Sequence, residues 1–198
     1  EGQFRIHKGM GLVPQVFRGK ALASLKGSMA VGHTRYSTTG SSHHRNSQPL
    51  TVDCSKGQIA IAHNGNLTNA AQLREELELN GSIFQTTVDS EIILHLMARP
   101  TNGSENNLVQ SLQRIQGAYS LVIMTENELI GVRDPHGFRP LSIGKLDGAY
   151  VLSSETCAFD LIQAEFVRDV EPGEIVIIND DGIQSISAFP MQERRAFC

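Results

Sequence analysis

The chain predicts an α+β fold with antiparallel sheets. Three observations carry this reading: β-rich runs toward both ends, a block of amphipathic helices between them, and strong turn signals dividing the later runs. Strands, then helices, then strands is the order of an α+β domain. Alternating units of a doubly wound parallel sheet would interleave the two kinds.

The elements follow in order. Residues 4–6 and 29–31 read as strands, the second leading into Gly32-His33-Thr34-Arg35-Tyr36. Residues 37–47, rich in Ser, Thr, Gly and His, read as a loop. Residues 58–62 form a short apolar strand that ends in a turn at His63-Asn64-Gly65. Ala70, Leu73 and Leu77 recur at helical spacing, and Asn80-Gly81 is a good stop. Ile92, Ile93, Leu96 and Met97 make the stripe of a second helix, with Asp89 or Ser90 as N-cap and Pro100 closing it. A third helix spans 107–116, with Leu108, Leu112 and Ile115 in phase and Gly117 after it. Residues 119–124, 129–132, 150–152 and 174–178 read as strands. Asp134-Pro135-His136-Gly137 and Glu171-Pro172-Gly173 are turns between them. Residues 157–164 suit one short helix, and Asn179-Asp180-Asp181-Gly182 a hairpin turn into a last strand.

Composition narrows the function classes. A chain of 198 residues, 40% hydrophobic and 19% charged, suits one globular domain with a sizeable core. A net charge of −4 and a pI near 6.0 leave no electrostatic footprint for nucleic acid or an anionic membrane. No apolar run is long enough to span a bilayer, and the first residues form no signal peptide. Three scattered cysteines, Cys54, Cys157 and Cys198, make no disulfide framework and fit a reducing compartment. The chain starts without Met, inside what reads as a strand, so both ends read as cuts in a longer protein.

Three polar segments stand at the ends of regular elements. Arg35 offers a planar fork for a carboxylate; a structural ion pair is its other reading. Asn64-Gly65 sets a side-chain amide beside a backbone N–H, the donors of an oxyanion site; alone, the pair reads as an Asn-Gly turn. Asp89 offers a charge for an ammonium, or a helix cap. Together they match the polar groups of a small zwitterionic amide. His43-His44 has no Cys or acidic residue at ligand spacing and reads as solvated loop. His33 and His63 read as orienting or packing residues. No nucleophile elbow is present. Cys157 stands at a helix start, where a thiol is acidified; a packing cysteine is its other reading.

These segments, in order, resemble the glutaminase domain of the amidophosphoribosyltransferase family over essentially the whole chain. The landmarks are Gly32-His33-Thr34-Arg35-Tyr36, His63-Asn64-Gly65-Asn66-Leu67, Gly81-Ser82-Ile83-Phe84-Gln85-Thr86 and Gly117-Ala118-Tyr119. Further on come Arg133-Asp134-Pro135-His136-Gly137-Phe138-Arg139-Pro140-Leu141, Ser154-Glu155-Thr156-Cys157-Ala158 and Glu171-Pro172-Gly173-Glu174. The resemblance implies the N-terminal-nucleophile fold, an αββα sandwich of two antiparallel sheets, with residues 1–198 as an incomplete glutaminase domain. It implies glutamine as substrate, Arg35 on its α-carboxylate, Asp89 on its α-amino group and Thr38 beside it. Asn64 and Gly65 would form the oxyanion hole.

In that family a leading cysteine attacks the amide and its own α-amine acts as base. A following phosphoribosyltransferase domain, with Mg²⁺, uses the ammonia and phosphoribosyl pyrophosphate to make phosphoribosylamine for purine synthesis. By the same resemblance the full-length proteins are homo-oligomers of the cytoplasm or of an organelle. The leading Cys segment and the phosphoribosyltransferase half have no counterpart here, and Glu1 cannot replace Cys. The chain by itself is therefore expected to bind glutamine poorly and hydrolyse none. Arg194-Arg195-Ala196-Phe197-Cys198 resembles the first ligand segment of the branch that carries a 4Fe–4S cluster. Such clusters take about four thiolates, so no cofactor is expected in this fragment, and a stray terminal Cys198 is the other reading. Glucosamine-6-phosphate synthase is a weaker match, because it favours Trp and His where this chain has Tyr36 and Gln48. A non-catalytic scaffold domain is the remaining reading, which the joint presence of Arg35, Asn64 and Asp89 disfavours.

Overall fold

A computed structural model describes residues 3–35, 43–99, 107–187 and 189. Thr38 and Cys198 lie outside the described residues. The elements are α1 (Val13–Val16), α2 (Lys20–Ser24), β1 (Leu50–Cys54), β2 (Gly57–Leu67), α3 (Ala70–Leu79), α4 (Ser90–Ala98) and α5 (Asn107–Arg114). Then follow β3 (Gly117–Met124), β4 (Leu129–Arg133), β5 (Ser142–Leu146), β6 (Ala149–Ser153), α6 (Cys157–Ile162), β7 (Glu165–Asp169), β8 (Glu174–Asn179) and β9 (Gly182–Ser187).

Two antiparallel sheets stack face to face. The larger has the order β1-β2-β3-β4-β8-β9 and the smaller β6-β5-β7. The pleat alternates their side chains between two cores. One face of the larger sheet, through Ile61, Leu121, Ile123 and Ile175, packs on Leu73 and Leu77 of α3, Ile92, Ile93 and Leu96 of α4, and Leu112 of α5. Its other face joins Val122, Val176 and Ile178 to Leu141, Ile143 and Leu152 of the smaller sheet. Behind the smaller sheet, Phe159 of α6 lies flush against Gly144 of β5, where a Cβ would come within 2.8 Å of its ring. The layers therefore run helices, sheet, sheet, helix, as the αββα expectation has it. Helix α4 sits between α3, α5 and the sheet, which explains why its Leu94 is as buried as its predicted stripe.

Three sequence expectations change. Residues 4–6 and 29–31 join no sheet. An extended run becomes a strand only beside a partner edge, and here the Phe4 N–H is taken by the side chain of Gln58 (2.7 Å). Between them α1 and α2 bury no residue. The strand expected over 58–62 does not stop at Asn64-Gly65. It runs on to Leu67, because β3 pairs with it residue for residue from Ala60↔Met124 to Leu67↔Gly117. Pairing along eight residues outweighs the local turn preference. Last, β1, a short run just past the Ser-rich loop, was not expected, and neither were β5 and β7. Their sequences carry Gly144, Lys145, Arg168 and Asp169, which hide the alternation.

Candidate active site

The far end of β2 builds the first wall of a cleft of about 680 Å³, within the usual range for a small-molecule site. Gly65 lies opposite Tyr119 with φ of +144°, a backbone region that favours glycine. A Cβ there would stand 2.0 Å from the Ala118 carbonyl oxygen. Gly117 on the facing strand is equally constrained, its Cβ falling 2.2 Å from the Asn66 oxygen. The two strands thus approach closely where Asn64, Gly65 and Asn66 border the cleft. The pair is therefore no hairpin turn. It is strand backbone held open to solvent at its tip.

Asp89 forms the second wall. It precedes α4, yet its carboxylate makes no capping bond to that helix. It accepts instead from the Leu67 N–H (2.9 Å) and from His63 Nδ1 (3.2 Å). A carboxylate only accepts, so Nδ1 carries the proton. Burial pushes the Asp89 carboxyl up, but the His63 ring and the N–H groups of Leu67 and Ser90 outweigh it and hold it below the usual carboxylate range. The acid stays charged, and it borders the cleft. This is the orienting role that the sequence suggested for His63, whose Nε2 is buried without a partner among the described residues.

Two side-chain latches hold the loops around these groups. Strand β1 pairs with β2 only as far as Leu50↔Ile61. Beyond it the Gln48 amide continues the ladder, accepting from the His63 N–H (2.7 Å) and donating to the His63 carbonyl (3.4 Å). Glu91, inside α4, accepts from the N–H of Gln85 and from the N–H and hydroxyl of Thr86 at 2.6–2.8 Å. Asn46 then ties Thr87 from the opposite loop, donating to its hydroxyl at 2.9 Å. The approach to Asp89 is thus fixed from both sides.

Gly32, His33, Thr34 and Arg35 line the cleft from the N-terminal segment. Burial, the nearby His63 ring and the Arg35 guanidinium together lower the His33 pKa to about 4, so His33 is neutral at pH 7. Arg139, Ser154 and Glu155 close the remaining side. The Arg139 guanidinium donates through Nη2 to Asn64 Oδ1. Sequence reasoning counted these three residues as family landmarks without giving them a place in the site. A signal for Arg139 did exist in the run Arg133-Asp134, where two ionisable residues end an apolar strand. Both are buried.

Of the residues expected at the site, Arg35, Asn64, Gly65 and Asp89 border one cleft. Among the described residues no group of three or more His, Cys, Asp or Glu side chains is arranged to hold a metal ion. No described helix is long and apolar enough to cross a membrane.

A family model described as a glutamine amidotransferase domain matches residues 33–160, well over half of the chain. This chain is a member of that family. The matched span holds Arg35, Asn64, Gly65, Asp89 and Arg139. The domain is 48% identical over 194 residues to the amidophosphoribosyltransferase of Bacillus subtilis (strain 168), covering 97% of this chain and 40% of that relative. It is 47% identical over 187 residues to the chloroplastic amidophosphoribosyltransferase 2 of Arabidopsis thaliana, covering 93% and 33%. A solved structure of the glutamine phosphoribosylpyrophosphate amidotransferase of Bacillus subtilis, complexed with ADP and GMP, matches it with a TM-score of 0.90 at 47% identity. That match covers 97% of this chain and 42% of the other. The fold is that of the N-terminal-nucleophile amidotransferases. The chain spans about two fifths or less of the length of these relatives.

Proposed function

We propose that this chain is the glutamine-hydrolysing part of an amidophosphoribosyltransferase, with residues 1–198 forming the glutaminase domain. Glutamine lies in the cleft as a zwitterion. Arg35 takes its α-carboxylate in a bidentate grip, Asp89 takes its α-ammonium, and Thr38 lies alongside. The side-chain amide then reaches the tip of β2. There Asn64 Nδ2 and the Gly65 N–H face the carbonyl oxygen as charge develops on it. A leading cysteine, as in the resembled family, attacks that carbonyl carbon. The C–N bond breaks, the nitrogen leaves as ammonia, and water cleaves the thioester to glutamate. The protein's part here is mainly positioning and electrostatic stabilisation, one such donor contributing about 10²–10³ in rate.

The observation that most supports this reading is the orientation of Asp89. A capping carboxylate would turn into its own helix. This one borders the cleft, is kept ionised, and is supported mainly by His63 and Leu67, with the Ser90 N–H beside it.

The ammonia would pass to a phosphoribosyltransferase domain. There, with Mg²⁺, it would displace pyrophosphate from phosphoribosyl pyrophosphate to give phosphoribosylamine for purine synthesis. Homo-oligomerisation, a cytoplasmic or organellar setting and, in the cluster-bearing branch, a 4Fe–4S cluster beginning at Cys198 belong to the same reading. The test uses the complete gene product. Glutamate release should require Arg35 and Asp89, and ammonia consumption should require phosphoribosyl pyrophosphate. Glutamate release indifferent to Arg35→Ala and Asp89→Ala, or ammonia transfer to a sugar phosphate in place of phosphoribosyl pyrophosphate, would reject it.

A further inference from the structure

We propose that Arg139 is the positioning residue that sets the orientation of the Asn64 amide and so makes the oxyanion donor competent. This rests on the reading of Asn64 as that donor. An asparagine amide can sit either way round at nearly equal steric cost, presenting Nδ2 or Oδ1 to the cleft. Only one orientation helps, because Oδ1 toward a developing oxyanion would repel it. Something must choose, and β2 alone does not.

Arg139 chooses by chemistry. A guanidinium has only donors. Whatever faces its Nη2 must be an acceptor, so the Asn64 atom there is Oδ1. Nδ2 is then turned away from Arg139, and both residues border the same cleft. A neutral amide such as Gln could meet either end of Asn64 and would not discriminate. The positive charge also polarises the amide and makes Nδ2 a stronger donor.

The loop that carries Arg139 is built to hold it still. Asp134, fully buried, accepts from the backbone N–H groups of His136 (3.0 Å), Phe138 (3.0 Å) and Arg139 (2.9 Å). Arg133, also buried, donates to the carbonyls of Arg139 (2.9 Å), Val170 (2.7 Å) and Gly137 (3.1 Å). The N–H and the C=O of Arg139 are thus both clamped by a buried pair of charged side chains. Two buried charges devoted largely to one loop's backbone, with one further bond to Val170, is a costly arrangement if stability were its only result. Arg139 Nε, moreover, is buried with no partner among the described residues. A residue kept for stability would have that donor satisfied. The arrangement fits a group held in place for the sake of what its tip touches.

The test is steady-state glutamine hydrolysis by the complete gene product carrying Arg139→Met, Arg139→Gln, Arg139→Lys, Asn64→Ala or the Asn64→Ala/Arg139→Met pair, with far-UV circular dichroism to confirm folding. Arg139→Met and Arg139→Gln should lower kcat by about 10–100-fold, somewhat less than loss of an oxyanion donor itself, while KM for glutamine changes less than about threefold. Arg139→Lys, still a donor only, should recover kcat to within about fivefold of wild type. The double variant should be no slower than Asn64→Ala, because with no amide there is nothing left to orient. If Arg139→Met does not fold, the Gln and Lys variants carry the comparison. A wild-type kcat in Arg139→Gln, or a double variant slowed by the product of the two single effects, would overturn the role of Arg139. A wild-type kcat in Asn64→Ala would instead remove the oxyanion reading on which it stands.

Discussion

Replacing Asp89 separates a helix cap from a ligand anchor. In a capping role, Asn or Ser would substitute freely, and Ala would cost about 0.5–2 kcal/mol through α4. The structure gives a different ledger. The carboxylate makes no capping bond and meets only the Ser90 N–H at the start of α4, so the helix loses less than a true cap would cost. Its two acceptor oxygens serve the Leu67 N–H at 2.9 Å and His63 Nδ1 at 3.2 Å. Asp89→Ala leaves the N–H of the buried Leu67 without an acceptor, which costs about 1–3 kcal/mol, or a fall in Tm of about 2–12 °C for a domain of this size. Asp89→Asn keeps one acceptor and should cost less than half of that. Its effect falls on glutamine instead. A hydrogen bond to a charged partner contributes about 1.5–3 kcal/mol, so KM should rise by about 10–150-fold with kcat less affected. Thermal unfolding and glutamine-dependent glutamate release, on the complete gene product, check both halves. Asp89→Asn with a wild-type KM, or Asp89→Ser with wild-type stability and KM, would refute the reasoning.

Other expectations follow from the same geometry. Gly117→Ala places a methyl group 2.2 Å from the Asn66 oxygen at a φ of +143°. Neither backbone can retreat, so urea unfolding should show a loss of at least about 3 kcal/mol. Gln48→Ala strips the His63 N–H of its acceptor where β1 has ended, and should lower stability by about 1–2 kcal/mol, read as a shift in the urea midpoint. Stability should also fall with acid in two stages. His33 has a folded pKa of about 4 against an ordinary 6.5, so from pH 6.5 down to 4 the unfolded chain binds more protons and stability declines. Asp89 has a lowered pKa, so its contribution is intact above its ordinary 3.8 and is lost below that. Urea titrations across pH 3–7 measure the slope, and His33→Gln should flatten the upper stage while leaving the lower one.

The helices were the most legible part of the sequence. Ala70, Leu73 and Leu77, and then Ile92, Ile93, Leu96 and Met97, follow a period set by the helix itself, and α3 and α4 appear where that period placed them. Elements that depend on distant partners were less legible. Asn64-Gly65 looks like a turn to any local reading, and only β3 makes it a strand. Residues 29–31 look like a strand, but no edge reaches them. The site divides in the same way. Arg35, Asn64, Gly65 and Asp89 could be named because their chemistry fits one small substrate. The direction of the Asp89 carboxylate could not be read, since position alone favours a cap. Arg139 could not be read either. It stands 75 residues from Asn64 in sequence, and its meaning lies in an atom-to-atom contact that no spacing encodes. Gln48 is similar: a loop glutamine became the continuation of a sheet ladder.

The central claim is that Arg35, Asp89 and the Asn64-Gly65 tip surround one amino acid in one orientation. A crystal structure of the complete gene product with glutamate, the product of hydrolysis, tests it most directly. The account requires the α-carboxylate on the Arg35 guanidinium, the α-ammonium within about 3 Å of Asp89, and the side-chain carboxyl at Asn64 Nδ2 and the Gly65 N–H. Glutamate bound end for end in the cleft, or bound elsewhere with these four residues untouched, would contradict it.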